Sequence, residues 1–220
     1  MKLTDKIKIT NEDNMELMAR YPDDYFELAI VDPPYGIKEH GQRPNRTDRW
    51  ASAPDGVKYK RVKWDNEPPT QEYFDELKRI SKNQIVWGGN YFMYKIKEPS
   101  MGWVFWDKKN GSTDFSDGEL AYTSFNKGLR KFEWLWSGFQ KQKPEKRIHP
   151  TQKPVALYKW LLHNYANEGD KILDTHLGSG SIAIACHDYK YELTACELDK
   201  DYYNDAIKRI KNHVAQQKLF

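Results

Sequence analysis

The chain has 220 residues, enough for one well-filled core or one domain with a small appendage. Its formal net charge is only +3, so it is not basic as a whole, and its aromatic content is high, with 8 Trp and 14 Tyr. The N-terminus is polar and no apolar run approaches about 18 residues, which predicts neither a signal peptide nor a membrane span.

Residues 6–10 read as a short strand and residues 14–20 as a helix. The apolar run from Phe26 to Val31 reads as a buried strand that ends abruptly in Asp32-Pro33-Pro34-Tyr35-Gly36. Two consecutive prolines fix two φ angles and remove two N–H donors, so the turn is stiff and offers carbonyl acceptors. With a carboxylate before it and an aromatic ring after it, the turn forms a cup of acceptors and a stacking face but no cation. Such a cup suits a planar group bearing an amine, such as a flipped nucleobase. The same residue types also serve ordinary strand-to-loop exits.

Residues 37–66 read as a long loop holding Lys38, Arg43, Arg46, Arg49, Lys58, Lys60, Arg61 and Lys63 against only Glu39, Asp48 and Asp55. Long loops inside compact domains are usually functional or disordered, and a basic one on a near-neutral body fits a polyanion. A helix is predicted over about 70–80, then a strand 84–87 ending in Gly88-Gly89-Asn90, and further strands over 102–107 and 120–124. A second basic stretch, Lys127 to Lys153, reads as coil leading to a helix over about 153–165, with Thr151 as N-cap and Pro154 in the first turn.

Lys171-Ile172-Leu173-Asp174 is a strand that runs into Thr175-His176-Leu177-Gly178-Ser179-Gly180-Ser181, with an apolar helix over about 180–188. Glycines there let backbone approach a ligand and present amide donors at a helix N-terminus. The next strand, 192–197, ends in Glu197, about 20 residues after the turn, where nucleotide-binding sheets place an acid for ribose hydroxyls. The spacing fits an adenosine-containing cofactor, and the absence of a Walker lysine argues against ATP hydrolysis. A final helix covers about 200–215. Alternating strands and helices predict an α/β sheet. Cys186 and Cys196 lie in apolar segments without CxxC spacing and read as buried reduced thiols, which suits a cytoplasmic protein.

Asp32-Pro33-Pro34-Tyr35, His149-Pro150-Thr151-Gln152-Lys153-Pro154 and Asp174–Gly180, in that order, resemble the amino-group DNA methyltransferases of the beta arrangement. The likeness runs from about residue 7 to 213. It implies a single Rossmann-like methyltransferase sheet, mostly parallel with one antiparallel strand and helices on both faces. That domain would span 1–220, with the basic loop 37–66 inserted and a minimal target-recognition coil at 126–148. The resemblance implies S-adenosylmethionine as methyl donor and no metal. It places the cofactor against Asp13, Asp32, Thr151, Lys153, Asp174, the turn His176, Leu177, Gly178, Ser179, Gly180 and Ser181, and Leu198, with Glu197 at the ribose.

The resemblance further implies that Asp32 and Pro33 accept the two N–H groups of the target amine, Pro34 stiffens the turn and Tyr35 stacks on the flipped base. Asp at position 32 favours adenine N6, with cytosine N4 as the alternative on the same fold. Double-stranded DNA is the implied partner, its phosphates met by the loop 37–66 and by Arg130, Lys131, Lys141 and Lys143. A homodimer and a cognate restriction endonuclease are compatible with the family, as is a prokaryotic or phage source. Other readings are RNA or protein-glutamine methylation, where the cofactor half normally precedes the PPY turn, and a silent DNA-binding module. One departure stands out: His176 replaces the family's phenylalanine.

Overall fold

The computed structural model describes residues 3–37, 67–111, 116–136, 141–143 and 145–217. Lys38, Arg43, Arg46, Arg49, Lys58, Lys60 and Arg61 lie outside the described residues. The strands are β1 (Ile7–Thr10), β2 (Phe26–Val31), β3 (Ser81–Trp87), β4 (Trp103–Asp107), β5 (Gly118–Thr123), β6 (Arg130–Glu133), β7 (Lys171–Asp174) and β8 (Glu192–Cys196). The helices are α1 (Asn14–Met18), α2 (Gln71–Ile80), α3 (Met93–Ile96), α4 (Val155–Tyr165), α5 (Ser181–Tyr189) and α6 (Lys200–Gln217).

The strands form one sheet in the order β1-β8-β7-β2-β3-β5-β4-β6. Among these described strands only β5 runs antiparallel, pairing with β3 on one side and β4 on the other. Period-two alternation sorts the strand residues into two apolar layers. Leu28, Ile30, Ile85 and Trp87 pack with Leu161 of α4, Ile182 of α5 and Ile210 of α6. Their neighbours Ala29, Val31 and Val86 pack instead with Leu17 of α1 and Leu77 and Ile80 of α2. Helices therefore cover both faces, as a parallel sheet requires.

The chain leaves β2 for β3 on one side and β7 for β8 on the other, and β2 and β7 are neighbours. That makes a topological switch point, where open α/β sheets bind ligands beyond the carboxyl ends of their strands. Both Asp32 and Asp174 stand there. Because β5 is antiparallel, it enters the sheet at that same edge, with Glu119 opposite Trp106 near the end of β4.

Three local expectations are corrected. Strand β3 begins at Ser81, three residues earlier than apolarity suggested, because the polar residues Ser81 and Asn83 still pair with Phe26 and Leu28. Strand β6 forms inside the stretch read as coil, parallel to β4. It is an edge strand with one apolar residue, Phe132, among charges, so it lacks an alternation signal. Helix α4 begins at Val155 with Pro154, not Thr151, as its cap residue (φ −69°, ψ 146°). A proline disfavours helical geometry at the residue before it, which moves the start past Lys153. The short α3 and the 3₁₀ turn Gly89–Tyr91 carry no sequence signal beyond the two glycines. Cys186 and Cys196 are buried free thiols.

Candidate active site

At the end of β2 the Pro-Pro turn carries Asp32 out over the sheet edge. Tyr35 folds back, and its hydroxyl donates to Asp32 Oδ1 at 2.8 Å. The Tyr35 ring stacks on Tyr91 (centroids 5.1 Å apart, planes at 18°) and meets the edge of Phe92. Gly88, in left-handed geometry at the end of β3, makes room for it, since an added Cβ would fall 2.2 Å from the ring. Burial raises the Tyr35 phenol well above its ordinary pKa, so it acts as a neutral donor.

The cup does contain a cation, contrary to the reading of the pentapeptide alone. Lys153 Nζ lies 2.5 Å from Asp32 Oδ2, 3.0 Å from Glu119 Oε2 and 3.3 Å from the Tyr35 hydroxyl. It also sits 5.3 Å from the centre of the buried Trp87 ring. Glu119 Oε1 is in turn held by Lys108 Nζ at 2.6 Å. Burial pushes the Asp32 carboxyl up, against the pull of Lys153. Burial also opposes the charge on Lys153, but Asp32 and Glu119 outweigh it and keep the ammonium protonated. For Glu119 two lysines overcome burial and hold the carboxyl down at about 2. Lys153 and Glu119 are far from Asp32 in the chain, so only the sheet topology brings them together.

Beside this cluster, a cavity of about 680 Å³ runs from Asp32 to Glu197. Of the residues expected at a cofactor, Asp13, Asp32, Thr151 and Lys153 line it, as do His176, Leu177, Gly178 and Ser179 of the turn and Glu197 and Leu198 beyond it. Asp174, Gly180 and Ser181 do not line it. They shape the turn from behind: Asp174 Oδ1 accepts from His176 N at 2.9 Å, and Ser181 Oγ lies 3.1 Å from Ser179 Oγ. Burial pushes the Asp174 carboxyl up to about 8. Gly180 has φ +74° and faces Ile210 of α6 so closely that a Cβ would sit 2.9 Å from Ile210 Cδ1.

Glu197 Oε2 accepts from Gly178 N (2.8 Å) and Oε1 from Asp199 N (3.0 Å), which fixes the carboxylate at the cavity wall. Asp13 caps α1 through Met15 N at 2.8 Å. Thr151, rather than capping a helix, places its hydroxyl 3.1 Å from His149 Nδ1. His176 is held at both nitrogens, by Asn14 Nδ2 at 3.1 Å and Thr175 Oγ1 at 2.9 Å. Its ring meets Tyr73 edge-on, and burial drives its pKa down to about 3, so it is neutral. An amide N–H₂ at Nε2 assigns the proton to Nδ1.

Sequence reading missed Glu119, Lys108, Tyr91, Arg209 and Glu145. Arg209 donates to Ser179 O at 2.8 Å and pairs with Glu145 Oε2 at 2.9 Å, while Glu145 Oε1 accepts from Val155 N. This strut joins the glycine turn to the start of α4, from an apparently ordinary surface helix and a basic coil. Among the basic residues expected at DNA, Arg130 and Lys143 are exposed. Lys131 is engaged with Glu133 and Asp107, and Lys141 donates to Glu145 O at 2.9 Å.

The sequence model of the DNA methylase family N6_N4_Mtase matches residues 95–208, which hold the HPTQKP segment, the glycine turn and Glu197. The chain belongs to this family. The methylase is 26% identical over 222 residues to the Type II methyltransferase M.HpaI of Haemophilus parainfluenzae, a match covering 84% of this chain and 68% of that protein. Its fold is similar to that of the M1.HpyAVI–SAM complex (TM-score 0.59, 19% identity, 92% of this chain and 99% of that one). It is also similar to PvuII DNA methyltransferase, described as cytosine-N4-specific (TM-score 0.62, 11% identity, 97% and 94%). The methylase is thus a DNA methyltransferase of the N6/N4 amino family with its expected α/β sheet. The Asp32 turn lies outside the matched segment, and only the folded sheet brings the two together.

Proposed function

We propose that this methylase transfers a methyl group from S-adenosylmethionine to the N6 amine of a flipped adenine in duplex DNA. The observation that carries the reading is that Asp32 belongs both to the stacking turn of Tyr35 and to the wall of the cavity that ends at Glu197. The cavity's chemistry fits the cofactor. An acid fixed by backbone amides stands where a ribose diol needs acceptors, apolar and aromatic walls such as Leu198 and Tyr202 flank it, and carboxylates suit a cationic sulfonium. Glu197, Leu198, Asp13, Gly178 and His176 are the residues that would hold it. When bound, the cofactor supplies an electrophilic methyl group.

The protein's own task is to make the amine nucleophilic. The lone pair of an exocyclic amine is delocalised into the base, and two acceptors on its N–H groups draw it toward tetrahedral geometry. Asp32 would take one N–H and the Pro33 carbonyl the other, while Tyr35 stacks on the base, a contact worth about 1–3 kcal/mol. Asp32 is also placed to hold the proton that the amine gives up as the N–C bond forms. Holding both reactants at one sheet edge supplies the orientation on which such transfers depend.

Adenine is favoured over cytosine by the aspartate at position 32, a leaning that follows from resemblance. Duplex contacts are assigned to Arg130 and Lys143, to the basic loop through Lys38, Arg43, Arg46, Arg49, Lys58, Lys60 and Arg61, and more weakly to Lys131 and Lys141. The chain would act as one methyltransferase domain carrying that loop. Nucleoside mass spectrometry of DNA treated with the enzyme and S-adenosylmethionine tests the reading. N6-methyladenine is expected, 4-methylcytosine would replace the substrate, and no product with intact cofactor binding would leave only a DNA-binding module.

A further inference from the structure

Four charged side chains alternate in sign across the site: Lys108, Glu119, Lys153 and Asp32, with N···O separations of 2.6, 3.0 and 2.5 Å. They are drawn from the end of β4, the start of β5, the approach to α4 and the end of β2. Lys153 is the most enclosed, with 3% of its side chain exposed. An ammonium has three N–H donors, and Lys153 has an acceptor for each in Asp32, Glu119 and the Tyr35 hydroxyl. The Tyr35 hydroxyl closes the ring by donating to Asp32 Oδ1. Each Asp32 oxygen is thus held by a different partner, which sets the plane of the carboxylate.

We propose that Glu119, braced by Lys108, is a positioning residue that acts through Lys153 to hold the Asp32 carboxylate for methyl transfer. The inference rests on Asp32 being the amine acceptor. A buried carboxylate without a counter-charge goes neutral, and a neutral carboxyl loses acceptor strength. Lys153 prevents that for Asp32. Glu119 fixes where Lys153 stands: without it, the ammonium would lose one of its three acceptors and collapse toward Asp32 alone. Lys108 in turn offsets the charge on Glu119, so the four groups carry no net charge, although Glu119 still pushes the Asp32 carboxyl up. The other titratable groups that interact with Asp32 are Tyr158 of α4, Asp174 of β7 and Tyr73 of α2. Burial raises both tyrosines above their ordinary range, and Asp174 adds repulsion. Lys153 is therefore the cation in direct contact with Asp32 among the described residues.

The test is a set of single-turnover pH profiles with duplex DNA, paired with calorimetric S-adenosylmethionine titrations in buffers of different ionisation enthalpy. Glu119→Gln is expected to lower the methylation rate about 10- to 100-fold while cofactor affinity stays within about threefold. Removing a like charge beside Asp32 should also move the acid limb of its profile to lower pH. Lys153→Met should move that limb up by at least about one pH unit. It should also release more protons on cofactor binding than wild type does. The double variant Lys153→Met/Glu119→Gln should be faster than Lys153→Met, because the uncompensated negative charge is gone, and Lys153→Arg should keep the wild-type limb.

A merely structural role would lower rates without moving the limbs, and the double variant would be no faster than the single one; either result overturns the proposal. Should Lys153→Met fail to fold, the Glu119→Gln profile decides, with an unmoved limb counting against the inference. Full activity in Asp32→Ala would instead overturn the reading on which the inference rests.

Discussion

Gly88→Ala separates the stacking role of Tyr35 from cofactor binding. Gly88 has φ +69°, and a Cβ there would lie 2.2 Å from Tyr35 Cε1, 2.6 Å from Cδ1 and 2.7 Å from Cζ. Left-handed geometry costs a non-glycine residue about 1–2 kcal/mol, and overpacking adds about 1–3 kcal/mol. The expected loss of stability is therefore roughly 2–5 kcal/mol, read by urea denaturation. Relief by movement of the ring requires a shift of about 1 Å, and misplacement of that size costs about 100-fold in rate. Gly88 does not line the cavity that holds Glu197, so S-adenosylmethionine affinity should change less than about threefold. A variant as stable and as active as wild type would refute the placement of Tyr35 against Gly88, and an equal collapse of cofactor binding would refute the separation of the two roles.

Three other outcomes follow from the same geometry. His176→Phe, which installs the family's residue, leaves Asn14 and Thr175 without their ring partners and should cost about 1–3 kcal/mol near neutral pH. Because the folded pKa of about 3 lies below the unfolded value of 6.5, the unfolded state binds the extra proton, and wild-type stability contributed by this group falls as pH drops from about 6.5 toward 3. Denaturation across that window should show a slope in wild type up to about 1.4 kcal/mol per pH unit steeper than in the variant. Arg209→Met strands the half-buried Glu145 and frees the glycine turn, so it should cost about 3–5 kcal/mol and weaken S-adenosylmethionine binding measured by calorimetry. Arg130→Ala and Lys143→Ala should each reduce the salt slope of DNA binding by about one charge, whereas Lys131→Ala and Lys141→Ala should change it less.

Much of the fold was legible because its signals were local. The apolar run before Asp32, the strand before the glycine turn and the acid after the next strand each state their element within a few residues, and all were found where expected. Of the site, most wall residues were legible in this way, but Asp174, Gly180 and Ser181 stand behind the wall. What stayed hidden was pairwise and long-range. Lys153 reads as one letter of a helix-start motif, and only the neighbouring of β2, β3 and β5 brings it to Asp32 and Glu119. Glu119 opens an antiparallel strand in a segment with no motif at all. Strand β6 was missed because an edge strand with a single buried residue, Phe132, has no period to detect. Thr151 misled because a good capping residue was followed, three positions on, by a proline that forces a later helix start.

Asp32→Ala is the decisive substitution, because Asp32 joins the base cup to the cofactor cavity. Duplex DNA is incubated with wild type or variant and S-adenosylmethionine, then digested and its nucleosides quantified by mass spectrometry, with cofactor affinity measured in parallel by calorimetry. Wild type should yield N6-methyladenine and the variant about 100- to 1,000-fold less, with cofactor affinity kept within about tenfold. Methylation by Asp32→Ala at the wild-type rate would contradict it.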